Sequence, residues 1–391
     1  MNRFLKPHHY AWIIAISSNT VLGQWENEIF KSTQIQITDS VSLKETFQYQ
    51  AYKKNRRNPS MQVGGLQYTK NNEYFQQTNP GETIMGQRIW GLITQENTLN
   101  NLKASYTFGA MIQYPFDNQL SQQIQFKPIV QLSLQTKNST LNVGSIKGHV
   151  NHLLPEPVMN YEWALKSPVE YGLSWDKKGK KIQIHQWLNW RQQAILETSQ
   201  QEIIVGGISA NWNIINNSSS GISLSLPVFM IHQHQGGENL KQPQPIQNKN
   251  NSGFGLRLSS TNFRAEYYGI QSLDLSPQPL QPYKNGFGHL VNLSYDLQQN
   301  HRLVVTYWNA REFHAPMGAA IYGCVNPSNP YKNVYNKEIA ILRYAYLKRW
   351  INNTVTEFRV EPGLDLKTND FLLSFGLYVK FLLGDWIYYQ P

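Results

Sequence analysis

The stretch Phe371-Leu372-Leu373-Ser374-Phe375-Gly376-Leu377-Tyr378-Val379-Lys380-Phe381 decides the fold class. Phe371, Leu373, Phe375, Leu377, Val379 and Phe381 fall on one parity, and Leu372, Ser374, Gly376, Tyr378 and Lys380 on the other. Side chains of a strand point alternately to its two faces, whereas at helical spacing these apolar residues would scatter around the axis. An alternating run of this length suits a tilted strand crossing a bilayer, which needs about ten residues. Trp386, Tyr388 and Tyr389 follow it. An amphipathic strand with aromatics close to the C-terminus resembles the insertion signal of outer-membrane barrels, although Gln390 and Pro391 end this chain.

The same period recurs upstream. Ile124, Phe126, Val130, Leu132 and Leu134 oppose Gln123, Gln125, Lys127, Gln131, Ser133 and Gln135. Ile222, Leu224, Leu226, Val228 and Met230 oppose Ser223 and Ser225, and Val291, Leu293, Tyr295 and Leu297 oppose Asn292, Ser294 and Asp296. Further strands are expected near 41–52, 84–94, 102–113, 139–147, 169–175, 180–188, 202–212, 253–260, 262–271, 302–312, 337–347 and 354–361. Short polar turns at 137–139, 177–180, 298–300 and 352–353 alternate with long connections at 149–168, 235–252, 272–285 and 313–336. The pattern predicts an all-β fold, a transmembrane antiparallel up-and-down β-barrel of about 14–16 strands with one elaborate rim. No linker or composition shift marks a second domain.

Composition agrees. Charged residues make up 15% of the chain and aromatics 13%, including 22 Tyr and 11 Trp. A soluble surface ordinarily carries more charge; a barrel with an apolar outer band, aromatic girdles and a polar lumen does not need it. Arg3 and Lys6, the apolar run Tyr10–Ile16 and the small residues up to Gly23 have the layout of a cleaved secretory signal peptide, 1–23. The barrel domain is then 24–391, beginning at Gln24, and the expected location is the cell outer membrane. Cys324 is the only cysteine, so no intramolecular disulfide can form. Lys and Arg outnumber Asp and Glu by 35 to 25, a surplus that favours anionic outer-membrane lipid as a partner. With no arginine-rich stripe or nucleic-acid motif, nucleic acid is not an expected partner.

Three clusters could carry chemistry. His149, His152, Glu156 and Glu162 concentrate imidazoles and carboxylates in a chain poor in acids. If Pro155 and Pro157 bend the segment inward, these four could share a divalent metal or do acid–base work. Otherwise they form a loop hydrogen-bonded to the barrel wall, with no cofactor. His232 and His234 lie two apart, on the side of Val228 and Met230, at the edge of a membrane span. Trp187 and Trp190 suit an interface belt or a sugar-stacking surface. His314 sits at the mouth of a long connection. The His-x-Ser-Asn-Gly pattern of outer-membrane phospholipases and the Gly-x-Ser-x-Gly nucleophile elbow are both missing.

Several segments resemble a group of outer-membrane β-barrel proteins of Bacteroidota with no assigned activity. The matching pieces are Asn72-Glu73-Tyr74-Phe75, Gly81-Glu82-Thr83 with Gly86, His152 with Glu156-Pro157 and Glu162, Trp187 with Trp190, Gln201-Glu202 with Gly206-Gly207, His234 with Gly236-Gly237, and Ala315-Pro316 with Gly318. The resemblance implies fold and location, not chemistry. Three functions follow as expectations. The first is a channel for small polar solutes, or a barrel subunit of a larger envelope protein complex. The second is a barrel enzyme acting on outer-leaflet lipid or glycan through the His/Glu cluster. The third is a soluble secreted glycan-binding β-protein.

Overall fold

Alternation along each strand becomes two surfaces once the strands pair. A computed structural model describes residues 59–387, apart from 77–78, 80, 117–123, 147, 196, 218–220, 238–243, 299, 327–328 and 351–353. The expected signal segment, Gln24 and the strand near 41–52 lie outside the described residues. The strands are β1 (Ser60–Tyr74), β2 (Glu82–Leu99), β3 (Leu102–Pro115), β4 (Gln125–Gln135), β5 (Ser139–Ile146), β6 (Glu170–Lys178), β7 (Ile182–Gln192), β8 (Ile203–Asn217), β9 (Ile222–Gln235), β10 (Gln247–Ser259), β11 (Phe263–Asp274), β12 (Asn285–Gln298), β13 (His301–Arg311), β14 (Asn336–Arg349), β15 (Val355–Asp365) and β16 (Asp370–Ile387). Each pairs antiparallel with its sequence neighbours, and β1 pairs with β16 to close the barrel.

The terminal strand has the expected register. Phe371, Phe375 and Leu377 are exposed on the outer surface, while Leu372, Ser374 and Tyr378 are buried inside. Val130, Val228, Met230, Leu293 and Tyr295 are likewise exposed outside. Strand β10 begins at Gln247, within a stretch expected to be a long connection.

Strand β1 was not legible from alternation. Gly64 and Gly65 interrupt it, and both are needed. A Cβ on Gly64 would come within 2.4 Å of the Trp90 ring, and one on Gly65 within 2.2 Å of the Phe381 ring. The neighbouring strands' aromatics cover the places where β1's own side chains would stand.

The lumen is filled from the long-connection rim. The β5–β6 connection turns inward through a 3-10 turn at His149–His152 and a short helix, α1 (Trp163–Lys166). The β13–β14 connection does the same through a turn at Ala320–Tyr322. The two segments bind each other: Asn160 N–H donates to Met317 O at 2.7 Å and Ala319 N–H to Glu156 O at 3.1 Å. Val158, Ala164, Leu165, Phe313, Tyr322 and Cys324 are wholly buried there, and a Val, Leu or Phe side chain so placed contributes roughly 1.5–3 kcal/mol. The last carbonyls of α1 have no intrahelical donor. The wall supplies donors: Arg88 to Ala164 O at 2.7 Å, Gln113 to Leu165 O at 2.8 Å and the Tyr68 hydroxyl to Leu165 O at 3.3 Å.

Candidate functional site

The plug divides the sequence-derived cluster among separate partners. Leu153 has a left-handed backbone, φ 59°, and the chain then turns through Pro155 and Pro157. His149 and His152 therefore face β6 and β7, whereas Glu156 faces β14. His149 Nε2 lies 2.7 Å from Ser167 O, and its backbone N–H donates to Glu170 Oε1 at 3.1 Å. His152 Nε2 lies 2.9 Å from Glu170 Oε2, and its Nδ1 lies 2.9 Å from His185 Nε2. Glu156 accepts from the Tyr322 hydroxyl at 2.9 Å and pairs with Arg343. Glu162 accepts from Asn72 at 2.8 Å and Asn160 at 3.2 Å. The shared four-residue ligand set expected from the sequence is thus not assembled. Among the described residues no group of three or more His, Cys, Asp or Glu side chains is placed to hold a metal ion.

Two arrangements emerge instead. The first is a row inside the wall: Glu170, His152, His185 and Asp176, the last 2.9 Å from His185 Nδ1. Three hydrogen bonds in the row need three protons on imidazole nitrogens, one more than two neutral rings carry. Burial pushes the His152 pKa down to about 4, although Glu170 pulls the other way. Trp187 covers the row, its ring stacked 4.0 Å from His152. Glu170, Asp176 and His185 escaped the sequence reading, yet parity could have found them: His185 shares the inward face of β7 with Trp187.

Acid should loosen this row. The unfolded chain protonates His152 below a pH of about 6.5, whereas the folded chain does so only near 4. The stability from keeping it neutral is therefore complete above about pH 6.5. It is lost as pH falls toward 4, by about 3 kcal/mol in all. The unfolding midpoint in detergent should drop between pH 7 and pH 4.5 or so, and His152→Gln should flatten that dependence. An equal slope in both proteins would remove this account.

The second arrangement is a cavity beside the plug, apolar over much of its lining, with charged groups on one side. It holds about 80 Å³ and is lined by Glu156, Tyr161, Tyr322, Arg343, Arg359 and Glu361 among others. A second space of about 30 Å³ shares Glu156, Tyr161 and Glu361. It continues past Glu162 and Asn72 to Asn79 and Glu82 at the long-connection rim. Lys70 Nζ donates to Glu361 at 3.1 Å, and Arg343 Nε reaches the other oxygen at 3.3 Å. Ser374 Oγ donates to Asn72 Oδ1 at 2.8 Å, which fixes the amide that holds Glu162. Burial raises the Glu162 pKa against the pull of Lys70 and the two amides. A carboxyl group with raised proton affinity, set in a cleft, has the properties of an acid–base catalyst.

The remaining expected residues have other places. Trp190 is on the outer surface, 42% exposed, with Nε1–H donating to Glu202. Of the two, Trp190 faces outward and Trp187 inward. His232 and His234 face outward near the long-connection rim, where His234 bonds Asn248 and Gly236 O at 2.7 and 2.8 Å. His314 lies at the plug's entry, its carbonyl bonded by Asn251. Burial, with Lys249 nearby, holds its pKa down to about 3.

The profile of the lipid A 3'-O-deacylase-type family matches residues 51–384. The chain belongs to that family. The match spans β1 to β15, most of β16 and both plug segments. Among solved structures the fold is similar to Pseudomonas aeruginosa OccK5 (OpdH), at TM-score 0.51 and 9% identity over 84% of this chain and 99% of that one. It is also similar to Pseudomonas aeruginosa OpdL, at TM-score 0.51 and 10% identity over 83% and 98%. The outer membrane protein opdK of the same organism gives TM-score 0.51 and 9% identity over 84% and 99%. No curated protein sequence matches the chain. This member of the lipid A 3'-O-deacylase-type family is a sixteen-stranded antiparallel barrel of the outer membrane.

Proposed function

We propose that the barrel is a hydrolase that removes an ester-linked acyl chain from an outer-leaflet glycolipid, with Glu162 as the general base. One observation carries the reading: two connections fold into the lumen and leave a cleft, lined by Glu156, Glu162 and Glu361, that reaches the long-connection rim. That rim is the extracellular one, because barrels of this kind keep their short turns in the periplasm. Family membership supports an acylated lipid as substrate. In the proposed step Glu162 accepts a proton from water as the water attacks the ester carbonyl. The proton then passes to the leaving sugar oxygen. Asn72 and Asn160 hold the carboxylate in place.

A filled lumen is poor support for a channel. A solute would need the plug displaced, at the expense of the buried contacts made by Val158, Leu165 and Phe313.

The test is mass spectrometry of lipid A from cells carrying the protein. Wild-type barrel should remove one acyl chain. Glu162→Gln should slow the loss by about 10²–10⁴-fold, the usual scale for a general base, while heat-modifiable gel mobility shows the barrel still folded. Unchanged lipid A with folded wild-type protein, or full activity in Glu162→Gln, would overturn the assignment.

A further inference from the structure

Three polar side chains stand abreast on the inner wall, close to the long-connection rim. Gln233 of β9 lies opposite Lys249 of β10, and Lys249 lies opposite Asp274 of β11. Parity turns all three inward. Gln233 shares its face with the buried Phe229 and Ile231, Lys249 with Asn251 and Arg257, and Asp274 with Tyr268 and Ile270. Strand β9 ends at Gln235, β10 starts at Gln247 and β11 ends at Asp274. The row is therefore half-buried at the mouth of the barrel and not sealed inside it.

The plug is fastened against this row at His314. Its N–H donates to Ser272 Oγ at 3.2 Å, and its carbonyl accepts from Asn251 at 2.9 Å. Ser272 and Asn251 are the next inward residues below Asp274 and Lys249. The His314 ring, itself half-buried, has Lys249 and Asp274 as charged neighbours.

These bonds engage the His314 backbone and leave the four functional side chains over. Gln233 Oε1 and Asp274 Oδ2 are buried and have no donor. The other Asp274 oxygen accepts from Ser276 N–H at 3.0 Å. Among the described residues the Lys249 ammonium makes no hydrogen bond and no ion pair, although Asp274 stands directly opposite. The His314 ring makes no hydrogen bond there either. Lys70, Arg257 and Arg359, buried in the same lumen, each pair with a carboxylate. A charge held back from water without a partner is costly, as is a buried oxygen without a donor.

The leftover valences select a ligand class. A simple anion would suit Lys249 and meet Asp274 as a like charge. A simple cation would do the reverse, and a neutral polyol would leave both charges bare. A molecule with an ammonium and an anionic group a few bonds apart answers both. We propose that Gln233, Lys249, Asp274 and His314 form a site at the barrel mouth for a small zwitterion, an α-amino acid. Its carboxylate accepts from Lys249 and from a ring N–H of His314. Its ammonium donates to Asp274 Oδ2 and Gln233 Oε1. The bound molecule ties three wall strands to the β13–β14 connection. The site goes beyond the hydrolase reading and does not depend on it.

The experiment is isothermal titration calorimetry of the full-length barrel in uncharged detergent. Glycine should bind at millimolar concentration. Glycinamide lacks the carboxylate and N-acetylglycine lacks the ammonium, and each should bind about tenfold more weakly. Lys249→Met should erase the preference over glycinamide, and Asp274→Asn the preference over N-acetylglycine, in protein that keeps its heat-modifiable gel mobility. If a variant does not fold, the comparison of the three probes on wild type decides alone. No binding of glycine, equal binding of the three probes, or both preferences surviving in the folded variants overturns the site. Phosphoethanolamine carries the same pair of charges as a lipid headgroup does, and tighter binding of it than of glycine overturns the amino-acid assignment.

Discussion

Replacing Arg343 by Met is expected to destabilise the barrel by about 3–5 kcal/mol, the scale for removing one partner of a buried ion pair. Arg343 touches three groups at once: Glu156 of the β5–β6 connection, Glu361 of β15 and the Tyr322 hydroxyl of the β13–β14 connection. Its loss leaves Glu156 with one neutral donor and takes a cation from beside Glu361. Lys70 still reaches Glu361, so the harm should centre on the plug. Denaturant unfolding in detergent should show a lower midpoint. Glu156→Gln in the same chain should recover part of the loss, because the uncompensated charge goes with it. An Arg343→Met protein as stable as wild type would mean that the two connections do not depend on this link.

Leu377→Arg should cost about 2–4 kcal/mol near the bilayer midplane. Leu377 lies in the middle of β16, facing outward and 47% exposed, so in the membrane it meets lipid. Unfolding in lipid vesicles would measure the loss, and wild-type stability would show that the outer face has been misjudged. A polar lumen makes Ser374→Arg look benign by comparison. The filled lumen reverses that expectation. Ser374 is 1% exposed and donates to Asn72, so an arginine there has no room and breaks the bond that holds the Asn72 amide. It should damage the plug where Leu377→Arg damages the lipid contact.

The contrast shows what alternation can and cannot carry. Parity identified the outer and inner faces of β4, β9, β12 and β16, because lipid on one side and protein on the other impose a period of two. It failed at β1, where Gly64 and Gly65 yield their space to Trp90 and Phe381, so that the pattern belongs to three strands together. The site was less legible still. His149, His152, Glu156 and Glu162 do enter the lumen, as a concentration of polar groups between prolines suggests. Their partners Glu170, His185, Arg343 and Asn72 come from β6, β7, β14 and β1. No local pattern encodes which distant residue will stand opposite. Trp187 and Trp190 make the same point at close range: three residues apart on one strand, they lie on opposite faces.

The seam between β1 and β16 bears on how the chain folds. Asn72 meets Ser374 across 302 residues of sequence, and closing a loop that long costs about 5 kcal/mol in chain entropy. The contacts that repay it lie largely at the seam and in the plug, since Asn72 and Tyr68 of β1 also hold Glu162 and Leu165. Plug docking and ring closure thus draw on the same first strand. A sheet lacking that strand would have two open edges and no anchor for α1, so a half-built barrel has little to hold it. Assembly should then be slow and nearly all-or-none, with the last strand made completing both the ring and its contents.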